Sequence, residues 1–534
     1  MRRFNSYGPI NNASNYYAPR EDIINKAYHQ LVGDPLEGGH YITVWAPRQC
    51  GKTWVMQEVL FRLRKDERFD VLKINLEDFK DKTNSLEILQ GIARKIGEPL
   101  NKTFANIDNQ EKFVEVFKKE VIDKPLILIL DEFDALIEEG INAIVSAFRN
   151  IYISRMDERD KTTEQKSYRL HGVALVGVRS VLGIENQKGS PFNVQRSLHI
   201  PNLTFDEVND MFQWYERESG HSIDPDVIVK LYEETRGQPG LTCWIGELLT
   251  EGFEGYTVDK TRPITMDDFL KVYYTALYGL PNSNILNIIS KAKQEPYRKV
   301  VLELFRTGIK LDFKFDDPIT NFLYMHGVID REIIDISEWY IRFSSPFVQK
   351  RLFSYFSSQL ARDPGELYDP FIDIDAIVPK SEDRIDIRTL VDLYRRYLEK
   401  NASWLFENAP RRADLRIQEA VFHFSFYAYL HEFLKGFKVK VYPEFPTGNG
   451  KVDLIIRYRS KLYAIEVKSF TNIRFYREAI VQVAQYGKQL GLSEIFVVFF
   501  IEALDDEERK KYEIEYRDME TGVNVVPLFI QTGR

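Results

Sequence analysis

Two sets of residues in this chain have the types and spacing to do chemistry on phosphates. The first is Ala46-Pro47-Arg48-Gln49-Cys50-Gly51-Lys52-Thr53. It fits the pattern G-x-x-x-x-G-K-[ST] at every position but the first, where Ala46 stands for glycine. A loop of this kind offers phosphate oxygens the partial positive charge of backbone N–H groups and of the helix N-terminus that follows. Lys52 would reach the β- and γ-phosphates, and Thr53 would hold Mg²⁺. Further on, the apolar run Leu126–Leu130 delivers Asp131-Glu132. Asp131 would hold the Mg²⁺ through water, and Glu132 would polarise an attacking water. Alone, the first element could be a chance turn with an exposed lysine, and the second an acidic pair favoured by a helix dipole. In this order and context they point to nucleotide binding.

The second set lies near the C-terminus. Gly450-Lys451-Val452-Asp453-Leu454 opens one β-rich run, and Ala464-Ile465-Glu466-Val467-Lys468 lies on the next. If Arg459-Ser460 is a two-residue hairpin loop, Tyr458 faces Lys461, and in that register Asp453 faces Glu466. Arg-Ser is a poor hairpin dipeptide, so the register stays an open expectation. Lys468 shares the face of Glu466 by period-two alternation. Opposed carboxylates repel unless a cation lies between them. With Mg²⁺ or Mn²⁺ there, the pair becomes a site that activates water against a phosphodiester, with the lysine stabilising developing charge. Glu419 is a further candidate ligand. It is the one charge on the helical stripe Leu415, Glu419, Phe422, Phe426, Tyr429 and Phe433. It either joins the metal site or snorkels at the stripe's edge. A cross-strand salt bridge between Glu466 and a basic neighbour is the plain alternative for the set.

These residues need elements to hold them. With 534 residues the chain is long enough for several domains. A hydrophobic fraction of 44% excludes wholesale disorder. His40–Ala46, Val71–Leu76, Leu126–Leu130 and Val173–Val178 read as strands alternating with helices such as Trp54–Lys65, which implies an open parallel sheet. Met156–Arg169 is charged and reads as a solvated loop. From Thr204 the spacing is helical, punctuated at Arg236-Gly237-Gln238-Pro239-Gly240. Asn284–Phe347 reads as a compact helix–hairpin module, with β-like runs at Val328–Ile334 and Tyr340–Phe343. Arg362–Ile385 is rich in Asp and Pro and reads as a linker. Helices Ile387–Lys400 and Arg412–Leu434, the strand pair, a helix at Arg477–Leu490 and a strand at Ile495–Ile501 then form a second α/β domain.

The composition narrows the function classes. The formal net charge is −8, so any nucleic-acid contact needs a local patch. One exists: Arg457, Arg459, Lys461, Lys468, Arg474 and Arg477 stand against Glu466 alone, with Phe470, Phe475 and Tyr476 interleaved. The longest apolar run, Ile495–Ile501, falls far short of a membrane span, and no signal peptide opens the chain. Two cysteines suggest a reducing, cytoplasmic setting.

The Lys52-Thr53 loop, the Asp131-Glu132 pair and the strand ending Gly177-Val178-Arg179-Ser180 resemble the AAA-like and STAND branch of P-loop ATPases. Arg236-Gly237-Gln238-Pro239 is similar to that branch's GxP element, and Tyr16-Tyr17-Ala18-Pro19-Arg20 to the N-terminal segment that packs near the adenine. The resemblance implies that Ala46 to Thr53, Asp131, Arg179, Pro239 and Arg20 bind ATP, with Arg179 reading the γ-phosphate. The C-terminal set resembles the PD-(D/E)XK nuclease core, which implies roles for Glu419, Asp453, Glu466 and Lys468, and for Gln482, with Tyr486 one turn on, as the Q-x-x-x-Y helix. The fold implied is a multidomain α/β chain. It would comprise a P-loop ATPase core (1–203), a helical lid (204–265), a winged-helix unit (266–361), a linker (362–385) and a restriction-endonuclease-like domain (386–534). The function implied is an ATP- and Mg²⁺-dependent ATPase joined to a metal-dependent nuclease, acting on nucleic acid, with DNA preferred, and able to form a homo-oligomer. Two other readings stay open: a nucleotide-gated signalling or defence switch, and a non-catalytic DNA-binding regulator.

Overall fold

The computed structural model describes residues 2–34, 38–104, 106–177, 196–305, 310–360, 384–406, 419–435, 437, 439–447, 450–470, 472–501 and 505–532. The chain divides into two compact units. The first comprises Met1–Ile288, Lys314–Asp330 and Ser344–Pro346; the second comprises Ile289–Phe313, Arg331–Phe343 and Phe347–Arg534.

The first unit is built on a parallel sheet. Its strands are β1 (Tyr41–Trp45), β2 (Asp70–Asn75), β3 (Leu126–Asp131), β4 (Leu170–Gly177) and β5 (Arg196–His199), in the order β2-β3-β4-β1-β5. β1, β3 and β4 are buried at every position, as strands covered on both faces must be. Alternation sorts their side chains. Leu126, Leu128 and Leu130 of β3 pack with helices α3 (Ser85–Leu100) and α5 (Glu138–Asp157). Ile127 and Ile129 pack with α1 (Glu21–Val32) and α2 (Lys52–Leu63). The strand order leaves β4 between β1 and β3, so the ends of all three strands lie side by side at one edge of the sheet. A crevice beyond the carboxyl ends of parallel strands is where such folds bind ligands.

Three helices follow: α6 (Phe205–Ser219), α7 (Pro225–Thr235) and α8 (Pro239–Glu251). Each starts on a side-chain cap. Thr204 and Glu207 form a capping box, the Asp224 carboxylate accepts from the Asp226 N–H, and the Gln238 side chain accepts from the Leu241 N–H. The charged stretch expected to be a solvated loop is irregular and exposed or half-buried from Glu158 on, with exceptions. Met156 and Asp157 close α5, and Lys166 is fully buried, with Thr163 also buried.

The helix–hairpin elements are present. They are α9 (Met266–Tyr278), α10 (Ser283–Ala292), α11 (Tyr297–Leu304), α12 (Pro318–Met325), a two-stranded sheet of β6 (Ile329–Asp335) and β7 (Glu338–Phe343), and α13 (Pro346–Leu360). They do not form one module: the division between the two units runs through them. Packing partners rather than chain order set that division. Almost all of the expected linker lies outside the described residues.

The second unit holds a mixed six-stranded sheet of β8 (Lys440–Thr447), β9 (Gly450–Tyr458), β10 (Lys461–Ser469), β11 (Glu494–Ile501), β12 (Tyr516–Arg517) and β13 (Asn524–Gln531). Its order is β12-β13-β11-β10-β9-β8. Helices α14 (Ile387–Leu405), α15 (Glu419–Lys435), α16 (Ile473–Gln489) and α17 (Asp506–Tyr512) accompany it. Ala479, Ile480, Val483 and Ala484 of α16 cover one face with Ala464, Val497 and Phe499. On the other face Phe422 of α15 stacks on Phe500 at 5.1 Å, and Tyr394 of α14 lies 5.2 Å from Tyr429. The hairpin between β9 and β10 has a two-residue turn, with Tyr458 opposite Lys461 and Leu454 opposite Ile465. Arg459 takes a left-handed backbone (φ 51°) there, which explains how a poor hairpin dipeptide still closes the turn.

Candidate functional site

The loop Ala46–Gly51 joins the end of β1 to the start of α2. Gln49 (φ 57°) and Gly51 (φ 84°) are left-handed, whereas Ala46 is not, so alanine serves where the pattern has glycine. A Cβ on Gly51 would meet nothing within 4 Å; its backbone angle, not space, calls for glycine. The Lys52 Nζ donates to the carbonyls of Ala46 and Pro47, each at 2.9 Å. Burial pushes its ammonium below the ordinary lysine range, countered by Cys50, Asp134, Glu132 and Asp131. Cys50 is buried and its thiol is pushed up by burial, so it is held as the neutral thiol, a small residue that fits.

Asp131 ends β3 and is 5% exposed. One carboxylate oxygen pairs with Lys73 Nζ at 2.8 Å, and the other accepts the Glu132 N–H at 3.1 Å. Glu132 sits in a left-handed backbone (φ 55°) that turns the chain sharply out of the strand. Burial, then Asp134 and Asp131, push its carboxyl above the usual range, which suits a proton acceptor at neutral pH. Gly177 ends β4 beside this group: a Cβ there would meet Asp134 Oδ1 at 2.3 Å. Arg179 lies outside the described residues.

The N-terminal segment packs beside the loop helix. Tyr17 lies 5.4 Å from Trp54 of α2 and 5.5 Å from Trp214 of α6. Arg20 is already engaged: its guanidinium donates to the Asn202 carbonyl at 3.2 Å and lies 3.4 Å from the Glu207 carboxylate. This arginine therefore ties the N-terminal segment to the start of α6. Pro239 opens the first turn of α8, and that turn is bonded to the loop. Gln238 Nε2 donates to the Arg48 and Gln49 carbonyls at 3.1 and 3.3 Å, and the Gly240 N–H donates to the Gln49 carbonyl at 3.0 Å. Lys73, Asp134, Asn202 and the Gln238 side chain were not singled out by sequence reasoning. A lone charge in the otherwise β-rich run Val71–Leu76 was the only signal for Lys73.

In the second unit, Asp453, Glu466 and Lys468 come together on the α16 face of the sheet. They are 3%, 1% and 2% exposed. Charges this deep persist only when paired or metal-bound. Lys468 Nζ pairs with Glu466 Oε1 at 2.9 Å, and Asp453 Oδ2 accepts the Val467 N–H at 2.7 Å. Glu466 Oε2 is buried and, among the described residues, has no hydrogen-bond partner. Burial, then Asp453, push the Glu466 carboxyl up to about 8, against the pull of Lys468. Burial alone would lower the Lys468 ammonium, but Glu466 and Asp453 outweigh it and hold it above the ordinary range. Gln482 is exposed and donates to the Tyr486 hydroxyl at 2.6 Å. It is Tyr486 whose hydroxyl feels Glu466, Lys468 and Asp453, after burial. Glu419 opens α15, and its side chain is not among those described. Among the described residues no group of three or more His, Cys, Asp or Glu is placed to hold a metal ion.

The expected basic patch loses two of its three aromatics, Phe475 staying half-buried. Phe470 and Tyr476 pack with Phe499, Phe529 and Tyr512 in the core, and Lys468 is buried. Arg457, Arg459, Lys461, Arg474 and Arg477 stay exposed.

The raised Glu466 carboxyl has a consequence for stability. A group whose pKa rises from 4.5 unfolded to about 8 folded keeps its proton in the native state over that interval, so stability falls as pH climbs through it. Thermal unfolding in chelator should therefore show the parent losing stability between about pH 5 and pH 8. Glu466→Gln, which removes the titration, should show a shallower slope. Equal slopes would assign the loss to other groups.

Residues 5–245 match the AAA-like domain family. Residues 386–503 match a family described as a domain of unknown function, DUF8371. No curated protein matches the chain. Among solved structures, the chain is similar to the Walker-type ATPase paby2304 of Pyrococcus abyssi, with 14% identity, 65% of this chain and 99% of that chain covered, and a TM-score of 0.44. It is similar to Cdc6p of Pyrobaculum aerophilum at 16% identity, covering 66% of this chain and 99% of that one, with a TM-score of 0.35. It is also similar to the Aeropyrum pernix ORC1 protein in complex with DNA at 15% identity, covering 64% and 94%, with a TM-score of 0.32. Among the described residues no helix is long and apolar enough to cross a membrane.

Proposed function

Starting from an AAA-like domain over residues 5–245, we propose that this part binds ATP with Mg²⁺ and hydrolyses it, and that the C-terminal sheet carries a metal-dependent nuclease site of the PD-(D/E)XK type. For the ATPase, the support is the loop at the N-terminus of α2 with Lys52 poised over it, and the buried Asp131 with the half-buried Glu132 two strands away. Lys52 would leave the Ala46 and Pro47 carbonyls for the phosphates. Thr53 and Asp131 would hold the Mg²⁺, Asp131 through water. Glu132 would take a proton from the water that attacks the γ-phosphorus as the bond to the ADP oxygen breaks.

For the nuclease, the single observation that carries the reading is the buried, unpartnered Glu466 Oε2 beside Asp453 and the Glu466–Lys468 pair. A buried acceptor without a donor costs free energy that a cation would recover. Asp453 and Glu466 fit a hard divalent cation through oxygen ligands, with Glu419 a further candidate. Mg²⁺ or Mn²⁺ there would supply Lewis acidity to a phosphodiester. Lys468 would stabilise the charge that develops on the phosphoryl oxygens. The exposed Arg457, Arg459, Lys461, Arg474 and Arg477 suit a phosphate backbone, and DNA is the first substrate to test.

The experiment is cleavage of labelled single- and double-stranded DNA and RNA with Mg²⁺ or Mn²⁺, with and without ATP, beside thermal unfolding in a Mn²⁺ titration. Metal should raise the melting temperature of the parent and not of Asp453→Ala. No metal shift and no cleavage would remove the nuclease reading. A second reading, in which nucleotide state licenses the nuclease rather than driving a motor, is favoured by the direct bonds between the loop and the α7–α8 turn. Cleavage that requires ATP binding but not its hydrolysis would select it.

A further inference from the structure

Every carbonyl of the phosphate loop from Ala46 to Gln49 is held by a donor beyond those four residues. Lys52 Nζ holds Ala46 and Pro47. Gln238 Nε2 holds Arg48 at 3.1 Å and Gln49 at 3.3 Å, and the Gly240 N–H adds a bond to Gln49 at 3.0 Å. The turn that supplies these last bonds is tightly fitted. A Cβ on Gly240 would fall 2.5 Å from Gln49 Oε1 and 2.6 Å from Gln49 Cβ. Asn202 Nδ2 donates to the Arg236 carbonyl at 3.2 Å from the other side. Gln238 is itself the cap of α8, where its Oε1 accepts the Leu241 N–H at 2.5 Å. One primary amide thus has its oxygen on the lid helix and its nitrogen on the loop.

Peptide planarity gives this arrangement its meaning. In a trans peptide the C=O and the following N–H point in opposite directions. Turning the Arg48 and Gln49 carbonyls toward Gln238 therefore turns the Gln49 and Cys50 N–H groups the other way, where they are free to meet a phosphate. The lid grips one end of each peptide plane, and a bound phosphate would grip the other. We infer that Gln238 is a positioning residue that couples the state of the phosphate loop to the orientation of α6–α8. This rests on the reading that the loop takes ATP. Coupling between two equilibria is reciprocal, so a lid held by Gln238 raises nucleotide affinity and bound nucleotide tightens the lid.

Gln238→Glu is a selective test. It keeps an oxygen to cap the Leu241 N–H and replaces the donor with a carboxylate oxygen that repels the two carbonyls. Gly240→Ala separates loop and turn by a different route, through the steric contact with Gln49. The measurements on the full chain are affinity for fluorescent ATP and ADP, melting temperature, and hydrogen exchange of residues 239–245 with and without ADP. In the parent, ADP should slow exchange in the first turn of α8. In Gln238→Glu, affinity should fall about tenfold, the size expected for lost hydrogen bonds to two carbonyls, and the ADP-induced protection should disappear. A residue of purely structural importance would lower the melting temperature and leave that protection in place, which would overturn the inference. So would parental affinity in both variants. Should Gln238→Glu fail to fold, Gly240→Ala and the parent's own exchange decide: no ADP effect on residues 239–245 of a nucleotide-binding parent refutes the coupling. A parent that binds no nucleotide refutes the ATP reading itself, and the coupling with it.

Discussion

Glu132→Gln is expected to bind ATP as the parent does and to hydrolyse it about 10²–10⁴-fold more slowly, the range for losing a positioned general base. The substitution keeps the shape of the side chain and removes only its basicity. Its effect should therefore fall on turnover and not on affinity. The raised Glu132 carboxyl adds a pH signature: the parental rate should fall as pH drops and the carboxylate takes up its proton, at a higher pH than an ordinary glutamate would impose. Lys52→Ala should act on the other quantity. It removes the cation from the phosphates and also the two bonds that hold the Ala46 and Pro47 carbonyls. Affinity should drop roughly 10- to 100-fold, from the ~1.5–3 kcal/mol of a hydrogen bond to a charged group. Single-turnover hydrolysis and equilibrium binding separate the two. Parental turnover in Glu132→Gln would take the general-base role from Glu132.

Asp453→Asn is expected to abolish metal-dependent cleavage while ATP hydrolysis continues at the parental rate. Asparagine keeps an acceptor for the Val467 N–H, so the β9–β10 pairing survives and the loss reports on charge. Substitutions to alanine are less clean at Glu466. Removing one partner of a pair this deeply buried leaves Lys468 uncompensated and costs on the order of 3–5 kcal/mol. Glu466→Gln is the better probe. Lys468→Ala should retain metal, because an ammonium is no ligand, and lose a factor on the order of 10²–10³ in rate. Cleavage rate against Mg²⁺ or Mn²⁺ concentration distinguishes them: the Asp453 and Glu466 variants should fail at any metal level, and the Lys468 variant should saturate normally at a low plateau. An Asp453→Asn protein that cuts at the parental rate would place the activity elsewhere.

Much of this arrangement was legible in the chain itself. The parallel sheet followed from apolar runs such as Leu126–Leu130, because a strand covered on both faces has no polar side to show. The loop and the acidic pair were visible because each is a contiguous string whose chemistry needs its neighbours in sequence. The hairpin register was readable too, since a two-residue turn fixes the pairing down to Ile465 opposite Leu454 and so brings Asp453 beside the Glu466–Lys468 segment. The partners of these residues were not legible. Lys73 meets Asp131 because β2 and β3 are adjacent in the sheet, and strand order is not written in periodicity. Phe470 and Tyr476 could by sequence stack on bases or join the core, and the fold decides for the core side, packing both against Phe499 and Phe529. Lys166, in a stretch that reads as solvated, is fully buried. Gln238 lay in a segment read as helix punctuation and as similar to a GxP element, with its side chain unassigned, and only folding brings its amide onto carbonyls 189 and 190 positions away. The sequence determined which residues can do chemistry and which strand or helix carries them, because hydrophobic period and turn chemistry act over a few residues. The tertiary structure alone decided which charges face one another, because burial and pairing arise between segments far apart in the chain and appear only once water has been excluded from between them.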